Sequence, residues 1–287
     1  MKKLIRLQRH QGQHWVGDGF PVYSIFSYQD LAAMLSPFLL LDYAAPSIFP
    51  PSRKKLGVGP HPHRGFETVT IVYAGGVSHR DSSGGGGDIA AGDVQWMTAA
   101  AGIIHEEYHS PAYARQGGPM EMIQLWVNLP AALKMSAPRY QSLSAASIPC
   151  VELEAQAGRL RLIAGQYGEL CGPAQTQTAM NVWDLQLHAG QRLSLDLPDG
   201  FTCALFVLDG ELACAGAMIK TQELAVFERA GARLQLDIQR DTRALLLNGA
   251  PIDEPIAAYG PFVMNTREEI MQAIDDYQQG RFAQIQP

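Results

Sequence analysis

The chain has 287 residues, 47% hydrophobic and 17% charged, and its 22 Lys and Arg against 28 Asp and Glu give a formal net charge of −6. That much apolar material excludes a disordered chain, and so acidic a protein lacks the basic stripe that direct binding to duplex nucleic acid needs. At roughly 150 residues per domain, the length fits one large domain or two small ones.

The start, Met1-Lys2-Lys3-Leu4-Ile5-Arg6, carries charge with no apolar run behind it, so no signal peptide is expected. The longest apolar stretches, such as 38–41, are too short to span a membrane. Short runs rich in β-branched and aromatic residues follow at 67–73 (ETVTIVY), 93–98 (DVQWMT) and 121–128 (EMIQLWVN), each bounded by Gly or Pro. The stretch 134–149, with its serines and two prolines, reads as a linker. Beyond it the rhythm resumes at 159–164, 181–187, 191–195, 203–208, 224–228, 234–238 and 244–248. Strands at this spacing, with 28 glycines and 18 prolines for the turns, predict an all-β sandwich or barrel. Pro251, Pro255 and Pro261 make the next segment extended. Thr266 and Glu269 form a capping-box pattern that predicts a helix over 266–279, ended by Gly280, with an apolar stripe of Ile270, Ile274 and Tyr277. The expected division is 1–137, 138–250 and a tail, 251–287. The four cysteines, Cys150, Cys171, Cys203 and Cys214, show no CxxC spacing and read as reduced thiols of a cytoplasmic protein.

Seven of the eight histidines precede residue 110, so of two β units one is chemically equipped and the other, with only His188, is not. His61-Pro62-His63 places two imidazoles on one face of a strand, because side chains at i and i+2 point the same way. His105-Glu106-Glu107 repeats that geometry with an imidazole and a carboxylate. Three nitrogens and one oxygen suit Fe, Mn, Co, Ni, Cu or Zn rather than Mg or Ca. Glu67 is a rival ligand if 63–67 is one continuous strand, and Arg64-Gly65 could bend the chain between them; Glu106 is a weaker rival that should point away from His105. His79 and Asp81 read as solvated turn residues, with a lid or supporting role as the rival reading. His109 is a candidate for a pocket rim. Gln124 and Trp126 share a strand face that packs in the core or lines a pocket. His10 and His14 read as structural or exposed. The run 83–87 is no phosphate loop, since no lysine or helix start follows it.

The run 57–111 (GVGPHPHRGFETVTIVYAGGVSHRDSSGGGGDIAAGDVQWMTAAAGIIHEEYHSP) resembles the signature region of the pirin family, a branch of the cupin superfamily. So do 118–130 (GPMEMIQLWVNLP), 15–22 (WVGDGFPV) and the tail 254–282 (EPIAAYGPFVMNTREEIMQAIDDYQQGRF). One departure is visible: the turn often written PGD in that family is Ala91-Gly92-Asp93 here. The resemblance implies an all-β bicupin of two antiparallel β-barrels, the double-stranded β-helix, with a short C-terminal α-helix. It implies one mononuclear transition metal, first of all Fe(II), with Ni, Co, Mn, Cu or Zn as alternatives. That metal lies in the N-terminal barrel only, on His61, His63, His105 and Glu107, which favours Glu107 over Glu67. Bacterial members resemble quercetin 2,3-dioxygenases, which cleave a flavonol heterocycle with O₂ and release carbon monoxide; Glu107 would then be both ligand and catalytic base. Animal members are nuclear, iron-dependent transcription cofactors, which makes a redox-sensing regulator with a protein partner the alternative. Other cupin chemistry on a small organic acid is a third reading. The expected partner is a small aromatic substrate such as a flavonol, or a protein, with no direct nucleic acid, no membrane and a monomeric chain.

Overall fold

The structure, a computed structural model, describes residues 1–10 and 12–285. It is 56% strand and 11% helix, and the chain divides into two compact units. No helix among the described residues is long and apolar enough to cross a membrane.

The first unit comprises residues 1–11, 34–37 and 146–251. Its sheet runs in the order Leu4–Arg9, Glu223–Phe227, Thr202–Cys214, Arg233–Gly249, Met180–Leu187, Gly158–Ala164, Cys150–Glu152, every pair antiparallel. The predicted strands 234–238 and 244–248 are one strand of 17 residues. Its partner pairing shifts register beside the exposed Gln239-Arg240-Asp241, the polar stretch between the two apolar runs. The first residues, expected in the N-terminal domain, pair instead with 223–227 (Leu7 opposite Ala225), and Leu4 packs on the apolar core of this unit. Leucines at 160, 162, 185, 205, 212 and 246 fill that core around Trp183.

The second unit comprises residues 12–33, 38–145 and 252–287. A seven-stranded sheet has the order Arg139–Leu143, Val94–Thr98, Phe66–Ala74, Gly118–Asn128, Phe38–Phe49, Phe20–Phe26, Gln13–Val16. A four-stranded sheet has the order Gly57–His63, Ile103–His109, Gly76–Asp81, Gly86–Ala90. Among the described residues the pairing does not close either sheet into a barrel: the chain passes from one sheet to the other at Arg64-Gly65. Gly65 has φ +88°, and a Cβ there would lie 1.9 Å from the Val263 carbonyl oxygen, so only glycine fits this bend.

The stretch 134–149 is not a free linker. Arg139–Leu143 adds an edge strand to Val94–Thr98. Lys134 is buried, and its ammonium donates to the Gly65 carbonyl (2.7 Å), Asn128 Oδ1 (2.6 Å) and the Val263 carbonyl (3.0 Å). Three donors meet three acceptors, which compensates for burying the group. The tail helix is Arg267–Gln278, with the Thr266–Glu269 capping box formed. Ile270 and Ala273 are buried and Ile274 packs beside them, whereas Tyr277 is 39% exposed and meets the rings of Phe262 and Phe282. The buried stripe therefore includes Ala273 and largely leaves out Tyr277. These residues cover Ile104, next to His105, and Asp276 pairs with Arg64, next to His63, at 2.7 Å.

Candidate metal centre

The four-stranded sheet brings the histidines together through register. In the antiparallel pair Gly57–His63 and Ile103–His109, His105 lies opposite His61 and Ile103 opposite His63. On the other side of the same strand, His105 lies opposite Asp81 and Glu107 opposite His79. Alternation then points His61, His63, His79, Asp81, His105 and Glu107 to one face.

Donor atoms of His61, His63 and His105 all lie within 4.8 Å of one another. Their ring centroids are 4.2 Å (61–105), 4.8 Å (63–105) and 4.9 Å (61–63) apart. Each ring keeps a nitrogen available. His61 Nδ1 is 2.8 Å from the Gly59 carbonyl and donates to it, which leaves Nε2 as the lone pair. His63 Nδ1 and His105 Nε2 are buried with no hydrogen-bond partner. Burial, and then the neighbouring His61, hold His63 and His105 well below the usual histidine range, so both are neutral near pH 7. Buried, unpartnered imidazole nitrogens converging on one point are costly unless a cation satisfies them, so the residues fit a first-row metal.

Glu107 is not part of that three-histidine group. It forms a second one with His79 and His105, again within 4.8 Å. Its Oε1 accepts from Gln95 Nε2 (3.4 Å) and lies 3.3 Å from Thr70 Oγ1, both residues on the facing seven-stranded sheet. Glu67 lies beyond the Arg64-Gly65 bend, on that other sheet, where Oε1 accepts from Thr98 Oγ1 at 2.6 Å. Burial pushes its carboxyl up to about 7. Glu106 points to the opposite face, as expected, and pairs with Arg80 at 2.9 Å and Lys55 at 3.6 Å.

The other sequence candidates separate clearly. His79 and Asp81 are buried side by side on a strand (Nε2 to Oδ2 3.2 Å), not in a solvated turn. Gly86–Ala90 pairs with their strand along its outer edge. His109 donates to the Gly19 carbonyl (2.9 Å) amid Phe20, Phe49 and Tyr113, so it is a packing residue. His14 is exposed, and neither it nor His10 joins a metal-binding group among the described residues. Gln124 and Trp126 line a cavity of about 300 Å³, with Val16, Phe20, Val22, Val58 and Met122 as its apolar wall. His61, His63, Glu107 and Asp42 open onto the same cavity. The Trp126 ring meets His63 edge-on at 5.3 Å. Thr70 and Gln95 were missed because each sits in a run that reads as plain buried strand. In the first unit, by contrast, His188 is exposed and the centre is packed with apolar side chains.

Comparison with known proteins agrees with this architecture. Residues 19–127 match the pirin family and residues 182–283 match the pirin C-terminal cupin domain. The chain is 57% identical over 282 residues to a Pseudomonas aeruginosa protein named "Putative quercetin 2,3-dioxygenase", covering 98% of this chain and 99% of that one. A crystal structure of quercetin 2,3-dioxygenase from Acinetobacter baumannii superposes with a TM-score of 0.97 at 51% identity, covering 100% of both chains. The Escherichia coli bacterial pirin YhhW, solved in complex with nickel(II), shares the fold at a TM-score of 0.64 and 20% identity, covering 86% of this chain and 99% of that one. Two cupin domains, one with a cluster of converging histidines and one with an apolar centre, together with these matches over nearly the whole length, show that the chain belongs to the pirin family.

Proposed function

We propose that this pirin is a dioxygenase of the quercetin 2,3-dioxygenase type, which uses O₂ to cleave the heterocycle of a flavonol and releases carbon monoxide. The observation that carries the reading is that two imidazoles of the three-histidine cluster, His61 and His63, open with Glu107 onto one apolar cavity, with His105 buried behind them. At about 300 Å³, that cavity is at the lower end of the range for small-molecule pockets and suits a flat aromatic.

In this reading His61, His63, His105 and Glu107 hold one metal, iron before nickel, cobalt, manganese, copper or zinc. The metal supplies Lewis acidity toward the flavonol 3-hydroxyl and the electronic access that O₂ chemistry requires. The chain does the rest. Gln95 donates to Oε1 of Glu107 and holds in place the carboxylate that takes the 3-hydroxyl proton. Val16, Phe20, Val22, Val58 and Met122 give the cavity an apolar wall, which strengthens charge interactions beside it. Trp126 offers a ring at the edge of His63 against which a flat substrate can lie. Gln124, which accepts from Thr70 Oγ1 at 2.8 Å, and Asp42 are the polar groups left to orient substrate hydroxyls.

The test is anaerobic reconstitution with each metal in turn, followed by admission of O₂ and flavonol with detection of carbon monoxide. The reading predicts stoichiometric carbon monoxide with at least one metal. A fully loaded protein that turns over no flavonol would contradict it and leave the regulatory role as the better account.

A further inference from the structure

His79 is buried against the cluster, yet neither of its ring nitrogens is free. Its Nε2 lies 3.2 Å from Asp81 Oδ2 and its Nδ1 lies 2.9 Å from Gln95 Nε2. The proton positions follow from the neighbours. Gln95 must turn its NH₂ toward Glu107, because an ionised carboxylate only accepts. The same NH₂ reaches His79 Nδ1, which must therefore be the acceptor. The His79 proton then sits on Nε2 and is donated to Asp81. His105 Nδ1 lies 3.3 Å from that same His79 Nδ1. Two lone pairs cannot face each other, so His105 carries its proton on Nδ1. Its Nε2, the buried atom without a partner, is left as a bare lone pair toward His61 and His63.

We propose that His79, anchored by Asp81 and Gln95, is a positioning residue that fixes the tautomer and ring orientation of His105 and, through Gln95, the side chain of Glu107. The inference rests on the assignment of His105 and Glu107 to the metal centre. With both nitrogens engaged, His79 supports the ligand set in this arrangement rather than joining it. A carboxylate–histidine pair behind a ligating imidazole raises ligand basicity and holds the ring in place, and losing such support typically costs about 10–100-fold in metal affinity.

Three variants and one spectrum test this. His79→Leu removes the acceptor. His79→Asn puts an amide oxygen where Nδ1 was and restores it. Affinity for Co(II) is read by competition titration, with the visible spectrum of bound Co(II) as the report on ligand geometry. His79→Leu should still take one Co(II), about 10–100-fold more weakly and with a shifted spectrum. His79→Asn should recover most of both, and Gln95→Leu should fall between them. Equal affinity and spectrum in His79→Leu and wild type would overturn the proposal. So would complete loss of binding in both His79 variants, which would make His79 a ligand. Long-range ¹H–¹⁵N correlation on metal-free wild type, labelled at histidine, needs no variant to fold. It should show His105 protonated at Nδ1 and His79 at Nε2, and the opposite tautomer for His105 would sink the inference. Wild type that binds no Co(II) would refute the metal centre itself, while the tautomers would still be decided by the correlation spectrum.

Discussion

Glu107 and Glu67 are both buried carboxylates, but they meet different groups. Glu107 opens onto the cavity with the histidines, while Glu67 is turned into the seven-stranded sheet against Thr98. Glu107→Gln keeps the shape and removes the basic charge. At equal metal content it should turn over flavonol at least ~100-fold more slowly, the usual scale for losing a general base. Raising the pH should recover part of that rate, because solvent then ionises the substrate. Glu67→Gln should leave turnover within about threefold; if the two variants exchange places, Glu67 is the working carboxylate. Glu67 should show itself in stability instead. Its carboxyl titrates at about 7 in the folded chain against an ordinary 4.5. Between those values the folded state holds a proton that the unfolded state has released, so stability falls as pH rises through that window. The loss is complete above about pH 7 and is on the order of 3 kcal/mol at most. Glu67→Gln should therefore melt higher than wild type at pH 8, with the gap closing toward pH 5. Parallel melting curves across that range would contradict this. The ligand candidates were legible because i, i+2 spacing is a local signal. Thr70, Gln95 and the burial of His79 were not, because cross-strand register between two sheets brings them to the site and no local pattern encodes it.

At the scale of elements, the tail and the segment after Asn128 support the histidine strand from behind. Phe282 stacks under the Arg64 guanidinium at 4.5 Å and fills the space above Gly102. Arg64 also donates to the Ala101 carbonyl at 2.6 Å. Arg64 and Arg281, the latter the closer partner, hold the Asp276 carboxyl at about 2. Ending the chain at Asn265 removes the burial of Ile270, Ala273 and Phe282 together. It should lower stability by at least ~3 kcal/mol in a denaturant melt, since burying one large apolar side chain is worth about that much. An unchanged midpoint would make the tail a mere appendage. The capping box of this helix was readable because Thr266 and Glu269 are three residues apart. Which face it buries was only partly readable, since Ala273 carries little hydrophobic signal yet is fully buried. The segment 134–149 misled for a related reason: serines and prolines looked like a linker, while two of the three acceptors that hold Lys134, the carbonyls of Gly65 and Val263, come from distant parts of the sequence.

At the scale of the molecule, the imbalance of histidines along the chain matches an imbalance in chemistry. One cupin unit places imidazoles, a carboxylate and a cavity together; the other fills its centre with leucine and tryptophan and leaves His188 on the surface. The all-β class was visible in the turn spacing. The discontinuous units were not, because the pairing of residues 4–9 with 223–227 spans almost the whole chain. The account requires one metal site per chain, in the unit that carries His61. The most direct measurement is elemental analysis of protein reconstituted anaerobically with Fe(II) and freed of loosely bound metal, for wild type and for the double variant His61→Ala, His63→Ala. Wild type should hold close to one equivalent and the double variant close to none, with the same circular dichroism spectrum. A full equivalent retained by the double variant, or two in wild type, would contradict it.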